Sequence, residues 1–221
     1  MKRGLLYLSA VLCMILSLIL SITSPDPILA ATSHVYPGES IQDAINASSS
    51  GDTIIVHDGT YNENIFIDKP LTILSDNGSA ATIIDGTAGG ANPAVTIISG
   101  NVTFGDAGHG FNVTNSFATN ESSGMGIFII NTGNGEMSGI TMRGNYVHDV
   151  GAGINGNGPG IALGNMGTGI ICGNNLSGNE VYNCNMGIAL INMNASDIHG
   201  NTVSGNAVHL VAIPIPLINF D

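Results

Sequence analysis

The C-terminal half of the chain repeats a short pattern in which an apolar residue, any residue, Gly, Asn, any residue and a second apolar residue follow one another. The pattern occupies residues 142–147, 171–176 and 198–203, and its Asn residues lie 29 and 27 positions apart. The apolar segment 160–163 recurs at 187–190, at the second of these intervals. Short apolar strands between Gly-Asn corners predict coils that stack on one another, because no single coil can bury its own apolar side chains.

The residues before these repeats fit the same architecture. Ile41, Ala44 and Ile45 share one helical face. Ser40 stands at the N-cap position with Asp43 as its reciprocal partner, which predicts a short helix that caps the open end of the solenoid. Strand-like runs separated by Gly, Asn and Asp follow at residues 53–57, 64–67, 71–74, 82–84 and 94–98.

Together these patterns predict an all-β fold, the right-handed parallel β-helix. Coils of about 22 to 30 residues would divide the chain into about seven, with Ile over Ile in the core and Asn over Asn at the corners. An antiparallel jelly roll is the structural alternative. Its hairpins do not explain a repeat of fixed period, so we favour the β-helix.

The N-terminal segment has the composition of an export signal. Two basic residues precede the uncharged, Leu- and Ile-rich run 4–22, and Ala30 and Ala31 offer small residues to a signal peptidase. We predict that residues 1–31 are a signal peptide. An uncleaved N-terminal anchor is the alternative, since the apolar run is about long enough to cross a bilayer. Both interpretations place one β-helix domain, residues 32–221, at the cell surface or outside the cell.

The C-terminal segment 210–220 is almost wholly apolar and has no polar capping helix. Two interpretations follow for a solenoid. Either this end packs against a partner, or the chain is a fragment of a longer protein whose further domain follows Asp221. The oligomeric state is left open.

Charge narrows the choice of partners. From Ala31 onward fifteen Asp or Glu residues stand against only Lys69 and Arg143, a net charge of −13 with histidine neutral. Such a surface repels nucleic acid, anionic lipid and acidic polysaccharide. Two cysteines follow the leader, Cys172 and Cys184. An oxidising compartment would allow them to pair, although their spacing does not establish that they are close.

The N-terminal coils also resemble a known superfamily. Residues 35–45 read VYPGESIQDAI, and GDTI at 51–54, GTYNENI at 59–65 and KPLTI at 69–73 follow. These segments look like the opening coils of pectin-lyase-like β-helix proteins. Within that superfamily they most resemble the group that includes the periplasmic copper-handling protein of nitrous oxide reductase maturation and many archaeal surface proteins. The resemblance is specific for the fold, whereas the superfamily includes lyases, hydrolases, esterases, epimerases and adhesins.

A resemblance to pectate lyases implies carboxylates that hold calcium against a uronate and an Arg or Lys that acts as the base. Arg143, His148 and Asp149 are the best catalytic candidates for such a site. Arg143 occupies the variable position of its Gly-Asn motif, where the following repeats have Cys172 and His199. We expect these three unlike side chains to form one outward column, which is more typical of a tolerant surface than of a lyase site.

A resemblance to polygalacturonases implies a Gly-His-Gly segment, which occurs at residues 108–110. The other motifs of that family are absent, and only Asp106 lies near His109. Because glycoside hydrolysis needs two carboxylates, we interpret the segment as a Gly-rich corner. A resemblance to pectin esterases would imply aspartates and an Arg in one cleft, and the sequence indicates no such cluster.

The copper-handling relative makes metal capture a separate hypothesis. Histidine and methionine supply the imidazole and soft sulfur ligands that copper prefers, although Met at these positions more often fills a core. Calcium bound by corner Asp or Asn oxygens is a further possibility, without the nonapeptide that marks a calcium-binding β-helix. The candidate copper ligands are His148, His199, His209, Met142, Met166, Met186 and Met193.

Two features bear on carbohydrate. Four tyrosines and no tryptophan follow the leader, which leaves a groove for stacked sugars open: Tyr36, Tyr61, Tyr146 and Tyr182. Seven Asn-x-Ser/Thr triplets are candidate N-glycosylation sites and would suit a cell-surface glycoprotein. They begin at Asn46, Asn77, Asn101, Asn112, Asn120, Asn175 and Asn194.

The leading hypothesis is an exported, non-enzymatic β-helix protein that presents an acidic, Asn-rich face for a structural or binding role. The alternative is a carbohydrate-active enzyme of the pectin-lyase-like superfamily, acting as a polysaccharide lyase, hydrolase or epimerase. Periplasmic copper handling is the second alternative. Convergent polar groups on neighbouring coils would favour a ligand site, whereas columns that merely repeat would favour a structural role.

Overall fold

The computed structural model describes residues 29–115, 118–119, 122–151, 158–193, 197–214 and 217–219. Almost all of the signal peptide predicted at residues 1–31 therefore lies outside the described residues, and it stays a prediction. No helix within the described ranges is long and apolar enough to cross a membrane.

Seven parallel strands, one from each coil, form sheet A. This number agrees with the seven coils predicted from the repeat. In order across the sheet the strands are β1 (Thr32–Val35), β2 (Thr53–Val56), β5 (Thr72–Ser75), β8 (Thr103–Phe104), β14 (Thr141–Arg143), β18 (Asn175–Ser177) and β21 (Thr202–Ser204).

A second, larger sheet wraps around the rest of each coil, and its long strand β19 (Glu180–Asn192) runs through both of its halves. Sheet B is the half with β3 (Gly59–Tyr61), β6 (Thr82–Asp85), β9 (Asn112–Asn115), β15 (Tyr146–Val150) and β22 (Ala207–Ile213). Sheet C is the half with β4 (Ile65–Ile67), β7 (Val95–Ile97), β12 (Ile127–Asn131), β16 (Pro159–Asn165) and β23 (Leu217–Asn219).

Smaller elements complete the coils. Sheet D consists of β13 (Glu136–Met137), β17 (Ile170–Cys172) and β20 (Asp197–His199). A 3-10 turn spans Thr87–Gly89, and β10 (Ala118–Thr119) pairs with β11 (Ser122–Ser123). This hairpin is the one antiparallel pair among the described strands. The described chain is therefore a parallel β-helix, and the jelly-roll alternative is wrong.

Like residues lie over like inside the coils, as the repeat predicts. Ile161 pairs with Ile188, and Leu163 pairs with Leu190. Three of these side chains are fully buried, and the Leu190 side chain is partly buried against the core. Burial of such a side chain contributes about 1.5 to 3 kcal/mol, so the stacked apolar columns fix which residues face inward.

The coils vary more in length than the repeat predicts. In sheet A, Thr53 pairs with Thr72 in the next coil. Farther along the same sheet Thr103 pairs with Thr141, across a coil that is twice as long. The expected range of coil lengths is therefore too narrow. Strands stack at one spacing because their backbones must pair, whereas the corners between them accept loops of different length.

One predicted alignment of the Gly-Asn corners is wrong. Asn145 donates its side-chain N–H to Asn179, instead of lying over Asn174. The place of Asn174 in that earlier coil belongs to Ile140, whose backbone N–H donates to the Asn174 Oδ1. Each of these coils turns two such corners. Ile140 has no side-chain amide, so the sequence does not mark this corner with an Asn. The predicted step from Asn145 to Asn174 therefore joined two corners that are not equivalent.

The corner asparagines form ladders inside the protein. Asn145, Asn174 and Asn179 are each 1% exposed. Asn179 Nδ2 donates to the Met142 carbonyl and to Asn206 Oδ1, each at 3.0 Å, and its backbone N–H donates to the same Asn206 oxygen at 2.9 Å. The ladder thus satisfies backbone groups that a turn would otherwise leave buried and unpaired, at a net gain of about 1 kcal/mol for each bond.

A short helix, α1 (Ile41–Ala47), covers the N-terminal end, as predicted. Its buried residues are Ile41 and Ile45, which face the core. Ser40 acts as the N-cap, since its Oγ accepts the Asp43 backbone N–H at 3.1 Å. The apolar spacing and the Ser40 cap are thus confirmed, whereas the described contacts do not make the Asp43 side chain the reciprocal partner that was predicted.

The carboxylate that completes this cap comes from Glu63. Its Oε1 accepts the Ile41 N–H at 2.7 Å, and its Oε2 accepts from the Ser40 hydroxyl at 2.8 Å and the Gln42 N–H at 3.2 Å. The Gln42 side chain in turn accepts the Phe66 N–H at 2.6 Å and donates to the Phe66 carbonyl at 3.2 Å. The outer edge of β4 is therefore paired by a side chain where no further described strand follows.

Candidate functional site

One outward face of sheet B gathers aromatic, imidazole and amide side chains from four neighbouring coils. Tyr182 lies in register between His148 and His209. Tyr146 lies in register between residues of the coils on either side. We call this surface the tyrosine–histidine face and define it by Asn112, Tyr146, His148, Glu180, Tyr182 and His209.

Alternate burial of valines directs these side chains outward. Each of the four strands has a Val between or beside the outward positions: Val113, Val147 and Val181 are fully buried, and Val208 packs against the same core. Successive side chains of a strand point to opposite faces, so burying each Val exposes its neighbours.

His148 is the centre of a hydrogen-bonded network on this face. Its Nδ1 lies 2.8 Å from Asp149 Oδ2, and its Nε2 lies 2.7 Å from Asn112 Oδ1. Asn183 donates its side-chain N–H to the other oxygen of Asp149. Both ring nitrogens and both carboxylate oxygens are thus engaged, so the network fixes the imidazole ring in one orientation.

Asp149 occupies a bulge at the end of the face, where the register shifts between His148 and Val150. Its φ is 51°, and Asn183 and Leu210 repeat this left-handed conformation in the next two coils, at 49° and 48°. The hydrogen bond from Asn183, and then that from His148, lower the pKa of Asp149 below its ordinary value against the opposing effect of burial. Asp149 is therefore ionised at neutral pH.

The aromatic rings lie beside this network. Tyr146 stacks on His148 with 4.6 Å between ring centroids and 26° between the planes. Tyr182 is 38% exposed. Burial, and then the nearby charges of Glu180 and Asp149, raise the pKa of the Tyr146 phenol, so that it keeps its proton and can donate a hydrogen bond.

Arg143 does not join His148 and Asp149. It lies on sheet A in register with Ser177, and its Nη1 is 3.1 Å from Asp106 Oδ1. The predicted column of Arg143, Cys172 and His199 is wrong, because Cys172 pairs with His199 on sheet D. Arg143 was assigned to that column because its Gly-Asn corner was aligned with Asn174, whereas it lies over Asn179.

The other predicted ligands are dispersed. Met142 is fully buried in the core, and Met166 packs beside Phe128. His109 Nδ1 lies 2.9 Å from the Ser75 carbonyl, which makes the Gly-His-Gly segment a corner, as interpreted above. Among the residues that the structure describes, no group of three or more His, Cys, Asp or Glu side chains is arranged to hold a metal ion.

Both described cysteines are free thiols. Burial raises the pKa of Cys184 to about 11, and burial followed by hydrogen bonding to Glu136 raises the pKa of Cys172. Both thiols are therefore protonated at neutral pH and are weak nucleophiles.

A second imidazole cluster lies at the N-terminal end. His34 Nδ1 is 3.0 Å from His57 Nε2, and His57 Nδ1 is 3.0 Å from Asp76 Oδ2. The Tyr36 ring stacks on His57 at 4.2 Å. These contacts run in a line rather than converging on one point, which suits a chain of hydrogen bonds and not a metal centre.

A cleft of about 820 Å³ adjoins this cluster, lined by α1 and by residues of the first coils, including Glu39, Tyr61 and Glu63. Its volume alone would make it a candidate site. We favour the tyrosine–histidine face instead, because the Glu63 carboxylate in the cleft is already occupied by the N–H groups of α1.

The glycosylation candidates differ in accessibility. Asn46, Asn77, Asn101 and Asn175 are exposed, whereas Asn112 is partly buried and bonded to His148. Asn120 and Asn194 lie outside the described residues. Modification of any of them stays a prediction.

Sequence reasoning found two residues of this site as a pair and missed the rest of the face. His148 and Asp149 are adjacent in sequence, but Asn183 and Tyr182 meet them only from the following coil. A usable signal was present: a Val stands at the centre of segments 112–114, 146–148, 180–182 and 207–209. Aligning those valines would have brought the outward residues together.

Comparison with known proteins leaves the activity of this chain open. No family model matches the sequence, and no curated protein matches it. Among solved structures, a pectin methylesterase in complex with a hexasaccharide is similar with a TM-score of 0.36 and 13% identity, over 78% of this chain and 68% of that one. A pectin methylesterase from Aspergillus niger is similar with a TM-score of 0.35 and 14% identity, over 89% and 87%. Likenesses of this strength carry nothing about the reaction.

Proposed function

We propose that the tyrosine–histidine face binds a carbohydrate chain lying across successive coils. The observation that carries this proposal is the alignment of Tyr146, His148, Tyr182 and His209 on one outward face, beside fixed amide and carboxylate groups. Tyr rings offer an apolar surface and a polar edge, which suits the mixed surface of a sugar. This role is compatible with the predicted exported location.

Binding is better supported than turnover. Both nitrogens of His148 are engaged with Asn112 and Asp149, so neither is free to move a proton to or from a substrate. Arg143, the predicted base, is paired with Asp106 on another sheet. Asn145, Asn174 and Asn179 of the corner ladders are buried and therefore contribute nothing to a ligand surface.

Catalysis at His148 and Asp149 is a second candidate. It is favoured by the left-handed backbone of Asp149 and by its lowered pKa, since strain and shifted pKa values concentrate at reactive sites. Copper delivery, which the finer family resemblance implies, stays a prediction: no group of three or more His, Cys, Asp or Glu among the described residues is arranged to hold an ion, and Met142 is buried in the core.

The test is a binding and turnover panel on neutral, acidic and amino polysaccharides, with and without calcium. We expect Tyr182→Ala to weaken binding by about tenfold, the equivalent of about 1.4 kcal/mol. Tyr36→Ala removes an exposed tyrosine from a distant coil and is the matched control. Binding that both variants leave intact would refute the proposal. New reducing ends, unsaturated product or released ester groups that disappear in His148→Gln would establish the enzymatic alternative instead.

A further inference from the structure

Carboxylates gather around the tyrosine–histidine face, and no Lys or Arg of the described residues lies among them. Glu180 is an exposed member of the face, and Asp149 lies at its end with a lowered pKa. Asp85 continues the column of His148 by two coils, because Asp85 pairs with Thr114 and Thr114 with His148. Three carboxylates thus flank the aromatic column over neighbouring coils.

The cations of the described chain are held elsewhere. Arg143 is paired with Asp106 on sheet A. Lys69 donates to the carbonyls of Ile45 and Ser48 at the C-terminal end of α1, at 3.0 and 3.4 Å. No Lys or Arg therefore remains among the described residues to neutralise an acidic sugar on this face.

Charge and ring chemistry together select a class of ligand. A uronate would meet like charges at close range, and recognition of such an anion normally relies on Arg or Lys. An ammonium group would instead be attracted both by the carboxylates and by the exposed face of Tyr182. The aromatic surface remains available to the apolar faces of the same sugar rings.

From this geometry we infer that the preferred ligand is a glycan of amino sugars with free, protonated amines, in preference to a neutral or a uronic acid polymer. The inference rests on the proposed carbohydrate binding and adds the charge class of the ligand. Glu180 is the specificity residue on the face, since it lies in register with Tyr146 and beside Tyr182.

The experiment compares three hexasaccharides by titration calorimetry at low ionic strength and at a pH where the amines are protonated. These are a glucosamine hexamer, its fully N-acetylated counterpart and a galacturonate hexamer. We expect the glucosamine hexamer to bind at least about tenfold more tightly than the acetylated one, and the galacturonate hexamer to bind most weakly. Added salt should reduce the preference.

Two variants locate the preference on the protein. Glu180→Gln should lower the preference for the glucosamine hexamer by about fivefold, whereas Glu136→Gln, the same change on sheet D, should leave it unaltered. An equal loss in both variants would assign the preference to net charge and overturn the site.

Equal or tighter binding of galacturonate would overturn the inference while the carbohydrate-binding role stood. Failure of all three hexamers to bind would remove the proposed role itself. Thermal unfolding of each variant checks that it folds.

Discussion

The first and the last described coils differ in how the edges of their strands are paired. In the first coil Gln42 pairs with the edge of β4 and Glu63 caps α1. Asp52 accepts one backbone N–H from before β1 and one from after α1. In the last described coil β22 pairs with β19 on one side and with no described strand on the other. Leu210 and Ile213 of β22 are 56% and 46% exposed.

The first coil also differs from the middle coils in how it is stabilised. A ladder such as that of Asn179 works by repetition, because each amide bonds to its copy in the next coil. The N-terminal contacts are not repeated, and each is a side chain fitted to one backbone group. The first coil is therefore stabilised by capping residues that each fit one group, whereas the coils in the middle are stabilised by the repeat.

The largest effect should come from breaking the repeat. Asn179→Ala removes the bonds to both neighbouring asparagines and to the Met142 carbonyl, and it leaves the buried Asn145 backbone N–H without its acceptor. We expect the free energy of unfolding to fall by about 3 kcal/mol, measured by denaturant titration. Asn77→Ala, an exposed corner residue, should change it by about 0.5 kcal/mol or less. Similar losses in the two variants would contradict the ladder as a source of stability.

Breaking the N-terminal cap should have a smaller effect. Glu63→Gln keeps one acceptor oxygen but loses the charge that strengthens three hydrogen bonds. We expect a loss of about 1.5 kcal/mol in the free energy of unfolding. Asp43→Asn is the control, because Ser40 bonds to the Asp43 backbone and not to its side chain. A cap that relied on Asp43 would show the reverse order.

An exchange between adjacent coils sharpens the comparison further. Asn183 and Leu210 share a left-handed backbone, which Asn tolerates better than Leu. Leu210→Asn should raise the free energy of unfolding by about 0.5 to 1 kcal/mol, whereas Asn183→Leu should lower it. Leu210→Ala keeps the unfavourable backbone and should bring no such gain. Thermal unfolding of the three variants tests the order.

The smallest effect concerns acid. Hydrogen bonds from the Ala31 and then the Ser49 N–H lower the pKa of Asp52. A lowered pKa in the folded state gives stability that is present above the unfolded value of about 3.9 and is lost as the pH falls through the folded value. In a chain that keeps Ala31, the difference in unfolding midpoint between the wild type and Asp52→Asn should therefore be largest at neutral pH and should narrow in acid. A difference that does not change with pH would assign the effect to geometry.

Much of the scaffold was predictable, and the site only in part. The stacking of Ile161 on Ile188 and the cap by Ser40 follow from local spacing, because each needs only a neighbouring coil or turn. His148 and Asp149 were found because they are adjacent. Arg143 was placed wrongly because its corner was aligned with the wrong repeat.

By itself the sequence determined the fold class, the capping helix, the inward columns and the acidic surface, since all of these depend on residue type and periodicity. Only the tertiary structure decided which outward residues share a face. Tyr146 lies over Glu180, and Glu180 lies over Ala207 across a shorter coil. The burial of one Val in each strand sets these registers, and the corner loops differ in length to accommodate coils with different numbers of residues. Residues that meet across coils are therefore not marked by any constant spacing in the chain.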